Sequence, residues 1–289
     1  MNTLVEKYRN MSLKNFVRKL FLYLIRASLF FIKTKFYYLL STLFLLNNEK
    51  YQAWSFLGRY GRTQYPCVNV IKYTSMEIKL FIDSKNKYPY INHNNKRLYF
   101  PKKYANQALD MYRTLLIEQD SMSAHQYVKT NDVFFKTTLL DIGAAEGIVS
   151  LNNIEKVDFV YIFEYDQDWI DALELTFEPW KNKTKIIKKF VSDIDAENSL
   201  KLDTFMKSKS IDNLFIKMDI EGTEMKALNG ASYIFENAKN IKFSICTYHK
   251  KNDQYDIPRF LKKYGYKHKF SNGYLLIGWW LRKGIVNNC

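Results

Sequence analysis

Two stretches of the sequence place carboxylates and glycines in patterns that can bind a ligand and move a proton. The first, residues 137–147, reads Thr-Thr-Leu-Leu-Asp-Ile-Gly-Ala-Ala-Glu-Gly. Its apolar run is interrupted by Asp141 and followed by Gly143 and Gly147, after which apolar residues recur at helical spacing. This order predicts a strand, a tight turn and a helix, the first crossover of an open parallel α/β sheet. Gly143 permits the sharp turn, and the helix N-terminus offers unpaired N–H groups to the ligand.

The charge of this turn indicates which ligand it holds. A dinucleotide site normally presents Gly-x-Gly-x-x-Gly to a pyrophosphate, whereas here the spacing is Gly-x-x-x-Gly and Asp141 lies at the strand end. A carboxylate at that place repels a pyrophosphate and attracts a cationic amine. S-adenosylmethionine (SAM) carries an ammonium and a sulfonium and has no phosphate. The sequence therefore favours SAM over NAD, with Asp141, Gly143, Ala144 and Gly147 as its contacts.

Two acids at later strand ends are candidates for the rest of the cofactor. Glu164 ends the second predicted strand, 23 residues after Asp141. Because an offset of about 20 residues is typical of the ribose-binding acid, we expect Glu164 to accept hydrogen bonds from the ribose hydroxyls. Asp193 follows the third predicted strand, where it either accepts from the adenine amino group or forms a turn.

The second stretch, residues 216–224, reads Ile-Lys-Met-Asp-Ile-Glu-Gly-Thr-Glu. It crowds three carboxylates at the carboxyl end of the fourth predicted strand, where α/β sheets place their chemistry. Repulsion makes such a cluster costly unless it binds a cation, shares protons or pairs with Lys217. Glu224 suits a helix N-terminus, where it offsets the helix dipole. Asp219 and Glu221 are therefore the functional candidates, and no ligand spacing demands a metal ion.

A histidine is predicted to reach the same cleft. His249 follows the fifth predicted strand in Cys-Thr-Tyr-His and can take a proton near pH 7. His125, just before the core, is an alternative candidate, whereas His93 and His268 are expected at the surface. The sequence thus predicts that His249, or a carboxylate of the second stretch, removes a proton from the substrate.

The surrounding pattern predicts the fold that positions these residues. From residue 138, strand and helix patterns alternate, and two closing segments, 266–270 and 274–280, flank a Ser-Asn-Gly turn. This is the order of a Rossmann-like class I methyltransferase sheet, mostly parallel with an antiparallel closing strand. We expect three regions: a basic amphipathic helical extension at 1–50, a small β/α cap at 51–119 and the SAM-binding domain at 120–289. Strands are predicted in the cap at 68–73, 77–82 and 97–100.

The formal charge of +15 is concentrated in the N-terminal third. Residues 1–102 contain 18 Lys and Arg against 4 Asp and Glu, whereas the remainder is nearly neutral. The longest uncharged run in the region around residues 14–46, residues 36–48, has 13 residues and is too short to span a bilayer. This basic amphipathic segment is expected either to contact a membrane surface peripherally or to pack on the protein's own core or a second subunit.

The cysteines indicate the compartment. Cys67, Cys246 and Cys289 are far apart and form no Cys-x-x-Cys pair, which predicts a reducing compartment, without a disulfide framework or a zinc site. No secretory signal is expected, because charges continue through the apolar segment. The predicted location is the cytoplasm, at the inner membrane face if residues 14–46 bind there.

Four ordered motifs together resemble the FkbM family of SAM-dependent methyltransferases over residues 120–285. They are Leu-Asp-Ile-Gly-Ala-Ala-Glu-Gly, Phe-Glu at 163–164, Leu-Asp-Thr-Phe at 202–205 and the whole of 216–224. The resemblance implies a class I fold and O-methylation of a hydroxyl, often on a sugar of a bacterial surface glycan or on a natural product. It also implies SAM contacts at the first motif, a ribose contact at Glu164, and Asp219 and Glu221 in the active site. The family usually continues Glu-Pro after its second strand, but here Tyr165 follows Glu164.

The resulting hypothesis is a SAM-dependent O-methyltransferase whose acceptor is a glycan or another hydroxyl-bearing molecule. One alternative is a nucleic-acid methyltransferase, which would use the positive charge, but basic surface is expected around its cleft and no Asn-Pro-Pro-Tyr-like motif is present. The other is a non-catalytic protein that retains the fold. The sequence leaves the oligomeric state open.

Overall fold

A computed structural model describes residues 13–44, 48–129 and 131–288. Residues 1–12 and 45–47 of the predicted extension, residue 130 and Cys289 lie outside the described residues. The strands are β1 Leu80–Ile82, β2 Pro89–His93, β3 Lys96–Tyr99, β4 Thr138–Ile142, β5 Phe159–Phe163, β6 Thr184–Ile187, β7 Phe190–Val191, β8 Ser199–Leu200, β9 Asn213–Met218, β10 Asn240–Cys246, β11 Lys269–Phe270, β12 Leu275–Ile277, β13 Trp280–Arg282 and β14 Ile285–Asn287. The α-helices are α1 Leu13–Phe44, α2 Glu49–Tyr60, α3 Val70–Thr74, α4 Ala108–Glu118, α5 Ile148–Asn153, α6 Gln167–Phe177, α7 Leu202–Met206, α8 Glu224–Asn229, α9 Ser232–Asn237 and α10 Asp253–Lys263.

Seven strands form the central sheet in the order β11-β14-β10-β9-β4-β5-β6. The five strands from β10 to β6 are parallel, and β14 closes the sheet antiparallel to β10. Leu139, Leu140 and Ile142 of β4 are all fully buried, as expected of a parallel strand covered on both faces. Helices α5 and α6 cover one face, and α8, α9 and α10 cover the other. The predicted α/β fold with a mostly parallel sheet and an antiparallel closing strand is confirmed.

Only one of the two predicted closing segments lies in the central sheet. The segment 266–270 contributes β11, which pairs with β14. The segment 274–280 instead forms a separate two-stranded hairpin, β12–β13. The sequence missed β14 because a three-residue strand is too short to show periodicity.

The cap packs into the same core as the sheet. Strands β1, β2 and β3 form a three-stranded antiparallel sheet. The strand predicted at 68–73 is wrong, since Val70–Thr74 is the helix α3. Leu98 and Phe100 are fully buried in one cluster with Leu139 and Val160 of the central sheet. The cap and the SAM-binding domain therefore share one hydrophobic core.

His93 is buried, and the prediction of a surface position for it is wrong. Its Nδ1 lies 2.7 Å from the hydroxyl of Tyr112 and its Nε2 lies 2.6 Å from Oδ1 of Asn152. Burial lowers the pKa of His93, because a charged imidazole loses its hydration there. This histidine fastens the cap to α4 and α5.

Helix α1 is a continuous helix of 32 residues that packs along α2. The two helices approach closely at Gly58, where an added Cβ would lie 2.3 Å from the carbonyl oxygen of Thr34. Lys35 Nζ donates to the carbonyl of Gly58, and the hydroxyls of Ser41 and Ser55 are 2.5 Å apart. One face of α1 thus packs on the protein itself. Among the described helices, none is long and apolar enough to cross a membrane.

Candidate active site

A crevice of about 500 Å³ opens at the carboxyl ends of β4, β5 and β9. This is the edge at which open α/β sheets bind ligands. Its lining includes Gly143, Ala145, Glu164, Tyr165, Phe190 and Asp219. Of the residues predicted to contact SAM, Gly143 and Glu164 line the crevice.

Only a glycine fits at position 143, because the backbone of Asp219 lies against it. Its φ is +72°, and an added Cβ would lie 1.8 Å from the carbonyl oxygen of Asp219. The turn after β4 and the turn after β9 therefore touch, which a side chain at Gly143 would prevent. Gly147, with φ +71°, begins α5, and an added Cβ there would meet Leu173 and Phe177 of α6. Gly147 serves packing, and it does not line the crevice.

Asp141 lies elsewhere than the sequence predicts. It is buried beneath the turn, where its Oδ1 is 3.2 Å from Nζ of Lys217 and its Oδ2 accepts a hydrogen bond of 2.5 Å from Ser150. Lys217 also donates to the carbonyl oxygen of Gly143. Although burial lowers the pKa of Lys217, the charges of Asp141 and Asp219 outweigh it and raise that pKa. Because Lys217 neutralises Asp141, the proposed attraction between Asp141 and a cationic ligand is corrected, and Asp141 instead supports the turn.

Glu164 connects the turn after β4 to the turn after β5. Its Oε2 accepts from the backbone N–H of Ala145 at 3.0 Å, and its Oε1 accepts from the N–H groups of Tyr165 and Asp166. The ring of Tyr165 stacks on Phe190, with centroids 3.8 Å apart. The position that deviates from the Glu-Pro pattern thus gives the crevice an aromatic wall, which the sequence did not predict.

The other two predicted cofactor contacts, Ala144 and Asp193, do not line the crevice. Ala144 is buried, and its backbone bonds to Phe163 and Gly147 within the turn. Asp193 accepts a hydrogen bond of 3.1 Å from Ser192 and is not part of the crevice lining. For Asp193 the turn-forming alternative agrees better with its position.

His249 forms a pair with a buried carboxylate. Its Nδ1 lies 2.7 Å from Oε1 of Glu224, a fully buried side chain that also accepts from the N–H groups of Ile220 and Gly222. Its Nε2 lies 3.3 Å from Oδ1 of Asp219 and 3.6 Å from Oε2 of Glu221. The structure thus brings together all three predicted catalytic residues. The sequence predicts only a helix-dipole role for Glu224, because its burial beside His249 depends on the fold.

Asp219 lies at the centre of a polar cluster that includes Tyr127, His125 and His249. Its Oδ2 accepts from the hydroxyl of Tyr127 at 2.7 Å and lies 3.6 Å from Nε2 of His125. Burial would raise the pKa of Asp219, but the hydrogen bond from His125 and the charges of Lys217, His125 and His249 lower it overall. Asp219 therefore remains ionised and is a poor proton acceptor. His125, the alternative histidine, is buried in this cluster and lies 2.9 Å from the hydroxyl of Tyr248.

The pKa of His249 is shifted in the direction opposite to that of Asp219. Burial lowers the pKa of His249, yet the hydrogen bond to Glu224 and the charges of Asp219, Glu224 and Glu221 raise it overall. Because Nδ1 is bonded to a carboxylate, the neutral ring carries its proton there and leaves Nε2 free to accept one. Among these groups, His249 is the best suited to take a proton from a substrate.

A second cavity of about 680 Å³ adjoins the crevice, and we call it the chamber. Its lining includes Tyr65, Glu118, Glu146, Tyr248, His249 and Ile277. Asp219 and Glu221 line both the crevice and the chamber. The two cavities therefore meet at these carboxylates, beside Nε2 of His249.

The residues of the crevice are suited to SAM. Its backbone turn at Gly143, the carboxylate of Glu164 and the aromatic wall can hold an adenosine, and Asp219 and Glu221 supply negative charge for a sulfonium. A sheet of this strand order, with this crevice at its carboxyl edge and a second cavity beside it, defines a class I SAM-dependent methyltransferase.

The family is shown by a match to the methyltransferase FkbM domain over residues 91–268. This is more than half of the chain, and the chain belongs to the FkbM methyltransferase family. SAM is therefore its cofactor. No curated protein sequence matches the chain.

Three solved structures illustrate what the chain is similar to. Methyltransferase FkbM from Methylobacillus flagellatus KT is 18% identical with a TM-score of 0.43, over 65% of this chain and 55% of that one. Trm5b from Pyrococcus abyssi is 12% identical with a TM-score of 0.41, over 73% of this chain and 62% of that one. Magnesium protoporphyrin IX methyltransferase from Synechocystis PCC 6803, solved with bound SAM, is 15% identical with a TM-score of 0.34, over 53% and 70%. The chain thus spans little more than half of the first of these proteins.

We predict that Gly143→Ala abolishes most SAM binding. The new Cβ would collide with the carbonyl of Asp219 and push the two turns apart. We expect the affinity measured by isothermal titration to fall at least tenfold, or about 1.4 kcal/mol. Gly265→Ala is the matched control, since Gly265 also has a positive φ, +80°, but open space around its Cβ position. If Gly143→Ala binds SAM as tightly as Gly265→Ala, the crevice is not the cofactor site.

Proposed function

We propose that the protein is an O-methyltransferase that modifies a sugar hydroxyl of a bacterial surface polysaccharide or a related glycan. The observation that carries the proposal is the position of Nε2 of His249. Glu224 orients this nitrogen toward the junction at which the crevice and the chamber meet. Bound SAM supplies an electrophilic methyl group from the crevice side, and the chamber has room for the acceptor.

His249 acts as the general base in this proposal. A sugar hydroxyl is a weak nucleophile, so positioning and removal of its proton dominate the rate. Nε2 of His249 would take the proton of the acceptor hydroxyl while that oxygen gains the methyl group. The bond between the methyl group and the sulfonium sulfur of SAM would break in the same step, which leaves neutral S-adenosylhomocysteine, and the histidine would later return the proton to water. The carboxylate of Glu224 stabilises the imidazolium formed in between, and Asp219 stays negative beside it.

The lining of the chamber favours a polyhydroxyl acceptor. Four carboxylates, Glu118, Glu146, Asp219 and Glu221, and the phenols of Tyr65 and Tyr248 can bond to sugar hydroxyls. Burial, together with the charges of Glu118 and Asp219, raises the pKa of Glu146 to about 7. Within the described part of the chain, no Lys or Arg lines this chamber. The four carboxylates would repel a phosphodiester there, which argues against RNA or DNA as the acceptor.

The test is a methyl-transfer assay with a panel of acceptors. Purified full chain and SAM are incubated with neutral, amino and anionic sugar glycosides and with short RNA and DNA oligonucleotides. Release of S-adenosylhomocysteine and the mass gain of one CH₂ on the acceptor are measured. We expect transfer to neutral or amine-bearing sugars in preference to anionic ones. Turnover on oligonucleotides but on no sugar would refute the proposal.

His249→Ala is predicted to separate catalysis from cofactor binding. Losing a general base typically costs about 10²- to 10⁴-fold in turnover, whereas the dissociation constant of SAM is expected to stay within about twofold, because His249 lines the chamber and not the crevice. Single-turnover rates and isothermal titration measure the two quantities. His268→Ala, which changes a histidine outside both cavities, is the control. Equal losses of turnover and SAM affinity would instead assign His249 a structural role.

The pH profile reports on the pairing of His249 with Glu224. Since the base must be neutral, turnover falls as the pH drops through the raised pKa of His249. Glu224→Gln keeps an oxygen acceptor but removes the charge that raises this pKa. We therefore expect the acidic limb to move to lower pH and the plateau of turnover to fall roughly tenfold, or about 1.4 kcal/mol. Glu236→Gln, an exposed change, is the control. An unshifted acidic limb would show that Glu224 does not tune His249.

A further inference from the structure

Helix α1 presents a continuous apolar stripe that faces away from the protein. The inward side chains of α1 are spaced as one helical face, and they pack on α2 and the β12–β13 hairpin through Phe30, Thr34, Tyr37 and Ser41. At 100° per residue, the opposite face carries seven large apolar side chains. These are Phe21, Ile25, Leu29, Ile32, Phe36, Leu39 and Leu43, between 40% and 72% exposed. We call them the outer stripe.

The outer stripe is too long and too regular to be scattered surface apolarity. It recurs at spacings of three and four residues from Phe21 to Leu43, which corresponds to about 33 Å of helix at 1.5 Å per residue. Contiguous exposed apolar surface of this kind marks a binding face. Because α1 has one apolar face packed on the protein and another facing outward, the outward face needs a partner.

The charges of α1 favour one kind of partner. The sequence of α1 contains six Lys and Arg and no Asp or Glu. Arg18, Lys19 and Arg26 form a basic row beside the outer stripe. Lys33 and Lys35 instead contact Trp54 and Gly58 of α2. Two copies of α1 packed through their outer stripes would bring the two basic rows into one interface, with no carboxylate of α1 to neutralise them. An anionic bilayer instead provides acyl chains for the stripe and headgroup charges for the row.

We propose that α1 is a membrane-docking helix that lies in the headgroup region of an anionic bilayer, with the outer stripe toward the acyl chains. Its inner face remains packed on α2, so the helix lies along the surface and does not cross it. This proposal does not depend on which acceptor the enzyme methylates.

Flotation of the full chain with lipid vesicles tests the proposal. The vesicles contain either phosphatidylcholine alone or phosphatidylcholine with phosphatidylglycerol. We expect the protein to float with the anionic vesicles, and binding to fall as salt is raised. Ile32→Gln, Phe36→Gln and Leu39→Gln combined should weaken the partitioning at least tenfold, as should Arg18→Gln, Lys19→Gln and Arg26→Gln combined.

A matched control separates the stripe from general surface apolarity. Ile82→Gln, Ile194→Gln and Tyr255→Gln combined replace three side chains that are 56% to 59% exposed elsewhere, and they should leave vesicle binding unchanged. SAM affinity of every variant, measured by titration, reports that the fold is intact. Equal flotation of the stripe variant and the wild type would overturn the proposal. So would a dimer in vesicle-free sedimentation that the stripe variant abolishes, because the stripe would then cover a second copy.

Discussion

The buried ion pair between Asp141 and Lys217 is the interaction on which the rest of the site depends. The two residues face each other in the register of β4 and β9, and Lys217 also donates to the carbonyl of Gly143. One cation therefore joins two neighbouring strands and the turn that floors the crevice. Removing either partner would leave an unpaired charge in the interior, at a typical cost of about 3–5 kcal/mol. The same ammonium lowers the pKa of Asp219. Lys217 therefore supports both the turn and the cluster around Asp219.

Asp219 and Glu224 are neighbouring carboxylates with different environments. Tyr127 donates a hydrogen bond to Asp219, and the neighbouring cations lower its pKa and favour its ionised form. Glu224 is buried, and among the described residues its salt-bridge partner is His249. The negative groups therefore act through the imidazole, whose pKa they raise. The ring is oriented by one carboxylate and faces two others, which is an arrangement for accepting a proton at a defined atom.

Much of the fold followed from the sequence, because buried parallel strands and amphipathic helices leave strong periodic signals. The positions of Glu164, Asp219, Glu221 and His249 at one edge of the sheet could be predicted, because the residues after parallel strands converge there. The orientation of Asp141 could not be found, because it depends on a lysine 76 residues away that only the register of β4 and β9 places opposite it. Other contacts between residues far apart in the sequence leave no local signal for the same reason. The strand β14 has three residues and is too short to leave a periodic signal.

The chamber is lined both by residues of the segment shared with the family and by residues outside that segment. Glu118, Glu146 and His249 lie within the segment 91–268 shared with the family, whereas Tyr65 and Ile277 lie outside it. Ile277 belongs to the hairpin whose Trp279 packs on Phe30 of α1. The residues proposed to bind the donor and remove the proton thus lie in the shared segment, whereas flanking sequence supplies part of the surface proposed to meet the acceptor. Under the proposed function, a change in the flanks would therefore retarget the enzyme while its chemistry stays intact.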